Sequence, residues 1–158
     1  MRKRSAYRPK AVLSNPLALM RPASVAQRNA VLLQFYTALE SMARGDHPGE
    51  EEWRSLSDCV NSVETLALTL GKLVPDEVMP TVNAAIEGMV AASVRFRAGK
   101  GMRLDAAGLD ALRDVVGIYG QCLESLTERE MSLAQSETQR RVNEIYRRKH
   151  ECHQVVSL

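Results

Sequence analysis

Trp53, Leu56, Val60, Val63, Ala67 and Leu70 recur at intervals of 3-4-3-4-3 residues. That rhythm returns apolar side chains to one side of an α-helix and scatters them over both faces of a strand. Leu109, Leu112, Val116, Tyr119, Leu123 and Leu126 repeat the same intervals. Two more segments follow them less strictly: Leu32, Phe35, Tyr36, Leu39, Met42 and Ala43, and Val82, Ile86, Met89, Ser93 and Phe96. Four amphipathic stripes in one chain must bury their apolar sides against one another, which predicts an all-α bundle of four to five helices. The side-chain supply agrees. Only 4% of the 158 residues are aromatic, so the core is built from Leu, Val, Ala, Met and Ile. At this length a single domain can bury a sizeable core.

Punctuation residues place the boundaries. Ser24, behind Pro22, is a candidate N-cap for the first helix. Gly45-Asp46-His47-Pro48-Gly49 ends it, and Glu50, Glu51 and Glu52 open the second with acids at the positive end of the helix dipole. Gly71 is a natural stop. The third helix is expected to start near Pro75-Asp76-Glu77, with Pro80 tolerated early, and to close at Ala98-Gly99-Lys100-Gly101. This Gly-Lys-Gly lacks the strand, the first glycine and the Ser/Thr of a phosphate loop and reads as a linker.

The last stretch has two readings. No proline lies between Asp105, its candidate N-cap, and the C-terminus. A single long terminal helix over about 104–149 would extend about 69 Å and would need a partner or a second copy along it. Alternatively it breaks near Ser125–Thr127 and a fifth helix folds back. The apolar register fails after Leu126 and resumes one position later at Met131, Ala134, Thr138, Val142 and Ile145. Gly108, Gly117 and Gly120 weaken this region unless they face a neighbour that needs close approach.

Charge divides the chain. The net charge is +2, yet residues 1–21 carry +6 with no acid, 22–128 carry −6, and 129–158 carry +2. Pro9, Pro16 and Pro22 interrupt the first segment, so residues 1–21 read as an extended basic arm on a helical domain spanning 22–158. Its apolar residues from Val12 to Met20 are expected to dock on the body. The basic tip is the strongest candidate contact: Arg2, Lys3, Arg4, Tyr7, Arg8 and Lys10 mix cations with an aromatic. Arg140, Arg141, Arg147 and Arg148 form a second basic patch, partly neutralised by Glu144.

Catalytic chemistry finds little to build on. His47, His150 and His153 fall in a turn or near the C-terminus, and no His-Glu-x-x-His or inward Glu-x-x-His pattern exists. Cys59 and Cys122 lie on apolar stripes and read as buried small hydrophobes; Cys152 stands beside His150 and His153 without a fourth ligand nearby. The expectation is no enzyme, no cofactor and no metal. No apolar run reaches the ~20 residues of a membrane span, and the N-terminus lacks a signal-peptide core, so a cytoplasmic location is expected.

Arg2-Lys3-Arg4-Ser5-Ala6-Tyr7-Arg8-Pro9-Lys10, followed by Asn15-Pro16-Leu17, resembles the start of small uncharacterised proteins encoded in phages and prophages of proteobacteria. The resemblance implies an accessory protein working in a bacterial host on a defence system, the transcription machinery or phage DNA. It carries no catalytic residues. The expected function is binding that inhibits or redirects a host macromolecule, with a host protein as first partner. A nucleic-acid-binding regulator and a self-assembling structural protein, dimerised through the terminal helix, stay open as alternatives.

Overall fold

The computed structural model describes residues 18–44, 49–69 and 77–148. These form a short 3-10 turn, Ala18–Met20, and five α-helices. The helices are α1 (Val25–Arg44), α2 (Glu50–Thr69), α3 (Val78–Arg97), α4 (Ala106–Ser125) and α5 (Glu128–Arg148). The protein is an all-α helical bundle, and no described residue is in a strand.

Four of the five helices start where a side chain satisfies an orphan backbone donor at the first turn; α3 has no side-chain cap. Ser24 and Gln27 form a reciprocal box: the Ser24 amide donates to Gln27 Oε1 (2.9 Å) and the Gln27 amide to Ser24 Oγ (3.3 Å). The Gly49 amide donates to Glu52 Oε2 at 2.8 Å before α2. Asp105 caps α4 by accepting from the Gly108 amide at 2.8 Å. Pro80 lies in the first turn of α3, where its missing N–H costs nothing.

The Gly99–Gly101 segment is a linker with a defined shape. Gly99 takes φ +74°, and the Lys100 and Gly99 amides donate back to the Arg95 and Phe96 carbonyls, both at 2.9 Å. This double bond over a left-handed glycine stops α3. Arg95 Nη2 then donates to the Arg103 carbonyl (2.7 Å), and Arg103 Nη2 donates to the Arg44 carbonyl (3.2 Å), tying the loop to the end of α1.

Helix α2 lies at the centre, packing against α1, α3, α4 and α5. Its stripe Trp53, Leu56, Val60, Val63 and Ala67 is buried throughout, joined by Cys59 and Leu66. The α4 stripe from Leu112 to Leu126 is buried as well, and Cys59 and Cys122 are free buried thiols. Leu70, Gly71 and Pro75 lie outside the described residues.

The α3 face departs from expectation. Val82 and Met89 are buried, but with Ala85, Gly88 and Ala92, while Phe96 is 41% exposed. The cause is the α3–α4 contact. A Cβ built on Gly88 would stand 2.7 Å from the Gly108 Cα, so the two backbones touch and the crossing turns α3 about the Gly88 edge. Gly108 therefore permits close approach. Gly120 does not require it, since a Cβ there would meet Leu32 at an ordinary 3.5 Å, and Gly117 faces open space.

The terminal region takes the broken form. Helix α4 stops at Ser125, Leu126 is extended (φ −93°, ψ 146°), and α5 begins at Glu128. Thr127 and Glu130 cap the new helix: the Thr127 amide and hydroxyl both donate to Glu130 Oε2 (2.8 and 2.7 Å), and the Glu130 amide donates to Thr127 Oγ1 (3.3 Å). The Glu128 amide donates to the Arg21 carbonyl at 2.8 Å, and Ala18–Met20 packs on α5. Residues 18–21, the end of the arm, thus lie against α5.

Two predictions follow from this packing. Gly88→Ala should destabilise by about 1–3 kcal/mol through a backbone clash, whereas Gly117→Ala should stabilise by about 0.5–1 kcal/mol, both read from urea unfolding. Thr127→Ala should cost about 1 kcal/mol at neutral pH. The two Thr127 hydrogen bonds hold the Glu130 carboxyl below its ordinary value of 4.5. Their contribution is therefore present above that value and is lost as pH falls through the lower folded-state value, so the wild-type advantage over Thr127→Ala should shrink on acidification.

Candidate functional site

Helix α5 packs across α2, while its contacts with α1 and α4 are few. Met131 and Ala134 are buried, and Thr138, Val142 and Ile145 meet Asn61, Glu64 and Thr65 of α2. The thin stripe that would have served as a dimer seam is therefore occupied by the chain's own bundle. The physical reason is the break at Leu126, which lets the stripe find a face within reach.

A latch holds this packing. Arg141 Nη2 lies 3.1 Å from Glu64 Oε2, with side-chain exposures of 23% and 14%. Arg141 Nη1 also donates to Thr65 Oγ1 (3.0 Å), whose own hydroxyl donates to the Asn61 carbonyl (2.8 Å). Removing one partner of such a shielded pair is costly, because it leaves the other charge uncompensated.

Between α1, α2, the end of α4 and α5 lies a cleft of about 500 Å³. That is within the size range of sites that hold a ligand or an inserted side chain. Phe35, Tyr119, Leu123 and Met131, all buried, supply its apolar part, with Phe35 and Tyr119 in an edge-to-face pair 5.3 Å apart. Amides and hydroxyls supply the polar part: Gln27, Gln34, Gln135 and Gln139 with Ser55, Ser62, Ser132 and Thr138. Burial pushes the Tyr119 phenol up to about 12, so it stays a neutral donor. The charged residues among those lining the cleft are Asp58 and Glu128, both acidic. Asp58 retains solvent contact, but burial of its inner side raises its carboxyl above the ordinary carboxylate value. A nearby cation would relieve that cost.

Gln34 Nε2 donates to Ser55 Oγ at 3.3 Å, and this pair forms a wall shared with a shallower groove between α1 and α2. Glu51, Glu52 and Leu33 line the groove, and Leu33 is 68% exposed. Tyr36, one turn on, is 45% exposed. No Lys or Arg is among the described residues lining either depression.

The residues singled out from sequence lie elsewhere. Arg2, Lys3, Arg4, Tyr7, Arg8 and Lys10 are outside the described residues, as are His47, His150, Cys152 and His153. Arg140 is clamped between Glu137 (2.6 Å) and Glu144 on its own helix, which raises its guanidinium and lowers the Glu137 carboxyl from their ordinary values. Arg141 is committed to the latch. Arg147 is exposed, and Arg148 ends α5. Arg140 and Arg141 are thus both engaged within the chain's own fold. Sequence reasoning missed Asp58, Tyr119 and the glutamine set. Thr127-x-x-Glu130, a capping-box spacing, was the signal that could have revealed the fold-back creating their cleft.

Among the described residues no cluster of His, Cys, Asp and Glu is arranged to hold a metal, and no helix is long and apolar enough to cross a membrane. Glu64→Gln should weaken the latch and leave Arg141 without its counter-charge, at about 1–2 kcal/mol of local stability. The expected readout is faster amide exchange across 131–145 with unchanged exchange in the α2–α4 core; slowing or no change would show that the pair does not hold α5 down. The chain matches no protein-family model, no curated protein and no solved structure.

Proposed function

We propose that this is a non-catalytic interaction protein that captures a segment of a partner protein in the cleft and the adjoining α1–α2 groove. The observation that carries this reading is the composite surface itself. It joins an aromatic floor, a row of amides and hydroxyls, four carboxylates without a lining cation, and the exposed Leu33. Apolar anchors ringed by polar groups with their own hydrogen-bonding capacity suit reversible recognition of a peptide segment. The lack of cations makes the surface a poor match for phosphates and favours a protein over a nucleic acid.

The phage-type opening of the sequence fits such a protein acting in the cytoplasm of a bacterial host, where holding a defence or transcription component would inhibit or redirect it. Self-assembly through α5 is the weaker reading, because its stripe is engaged with α2. The nucleic-acid reading is weaker as well, because Arg140 and Arg141 are paired internally.

Tagged protein incubated with bacterial lysate, with and without nuclease, tests the proposal when run beside Gln34→Trp and Leu33→Asp. Expected is a partner protein that survives nuclease and salt and is captured at least tenfold less by both variants, whose circular dichroism matches wild type. Capture abolished by nuclease, or capture by the variants equal to wild type, would overturn it.

A further inference from the structure

The described chain begins at the rim of the cleft. Ala18–Met20 lies on α5, the Arg21 carbonyl accepts from the Glu128 amide at 2.8 Å, and both Glu128 and Ala23 line the cleft. Seventeen residues precede Ala18. Fully extended they reach about 56 Å, while α5, at 21 residues, is about 31 Å long, so this segment can run the whole length of the cleft.

Its chemistry is the complement of what it would meet. Residues 1–17 carry Arg2, Lys3, Arg4, Arg8 and Lys10 without a single acid, and one aromatic, Tyr7. The cleft and groove carry Asp58, Glu128, Glu51 and Glu52 without a cation. From Asp58 and Glu128, together with the point at which the chain leaves the rim, we infer that the cleft's resident ligand is the chain's own basic N-terminal segment, residues 1–17. This rests on the cleft being a peptide-binding site, as proposed above.

Tethering favours this occupant over any free one. A segment joined to the site by a few residues is present at an effective concentration of the order of millimolar, so an affinity tighter than that suffices for it to occupy the cleft. The opposite charges draw the two together most strongly at low ionic strength. A partner that enters the cleft must then displace the arm, which frees five cations and Tyr7 for its acidic surfaces. Capture and exposure of the arm become a single exchange.

Paramagnetic broadening in the full-length protein tests this. Ser5→Cys, in a Cys152→Ser background, carries a nitroxide; Cys59 and Cys122 are buried and unreactive by comparison. Expected is broadening of the Asp58, Gln135 and Thr138 amides several-fold stronger than at Asn83 on α3, diminishing as salt is raised and in an Asp58→Asn, Glu128→Gln variant. A mixture of spin-labelled unenriched protein with unlabelled 15N protein separates the sources. Broadening of the cleft amides that persists in that mixture would assign the cleft to the arm of a second copy and overturn the proposal. Uniform broadening, or broadening insensitive to the Asp58→Asn, Glu128→Gln change, would overturn it as well. Partner capture lost in Gln34→Trp is measured independently, so the binding reading can stand while the arm's residence in the cleft fails.

Discussion

The cap formed by Thr127 and Glu130 decides the shape of this molecule. Without it, 104–149 is a helix with no proline to stop it and a polar second half that has nothing to lean on. A side-chain cap that satisfies two orphan donors is worth only about 1 kcal/mol. That is enough here because its competitor, an unbroken α4–α5 rod, would leave Met131, Ala134, Val142 and Ile145 in water. The turn at Leu126 returns those side chains to α2, and Leu126 itself is buried at the corner. The Arg21 carbonyl, accepting from the Glu128 amide, adds a further satisfied group to the same joint.

The cleft is a by-product of that fold-back. Helices α1 to α4 already pack their stripes onto one another around α2, with α3 and α4 in backbone contact at Gly88 and Gly108. Little apolar surface remains for a fifth helix, and α5 brings little of its own. It settles across α2, where the Arg141–Glu64 pair and Thr65 fix it, and stands off from α1. Above a floor of buried core residues, the space left is walled by glutamines, serines, Asp58 and Glu128. A surface that the fold did not spend on its own packing is the natural place for an intermolecular contact. The same economy explains the arginines. Arg141 is used to hold α5 on α2 and Arg140 is paired along its own helix, while five further cations precede Ala18 in the sequence.

Much of the fold was legible in sequence because burial writes itself as periodicity. The stripe Trp53 to Ala67 and the stripe Leu112 to Leu126 are buried as their spacing required. Ser24 and Asp105 cap the helices they were expected to cap. Less was legible where a contact depended on two distant residues. Gly88 had no local mark to distinguish it, and its closeness to Gly108 turns α3 so that Phe96 remains exposed. The site was the least legible part. Asp58 and Tyr119 look like an ordinary surface acid and an ordinary core aromatic until Gln135 and Met131 are set opposite them.

The sequence by itself determined an all-helical chain, the extents of its first helices, the burial of its two stripe cysteines and the separation of a basic segment from an acidic body. These follow from the 3.6-residue repeat, from caps within four residues and from charge counting, all of which are local. Only the tertiary structure decided which face the folded-back terminal helix meets, that Arg141 pairs with Glu64, and that an acidic cleft opens where the described chain begins. Those features come from pairings such as Arg141 with Glu64 and Arg21 with Glu128, in which residues far apart in sequence become neighbours. No periodicity encodes such a pairing, because its energy exists only once the other helices are in place.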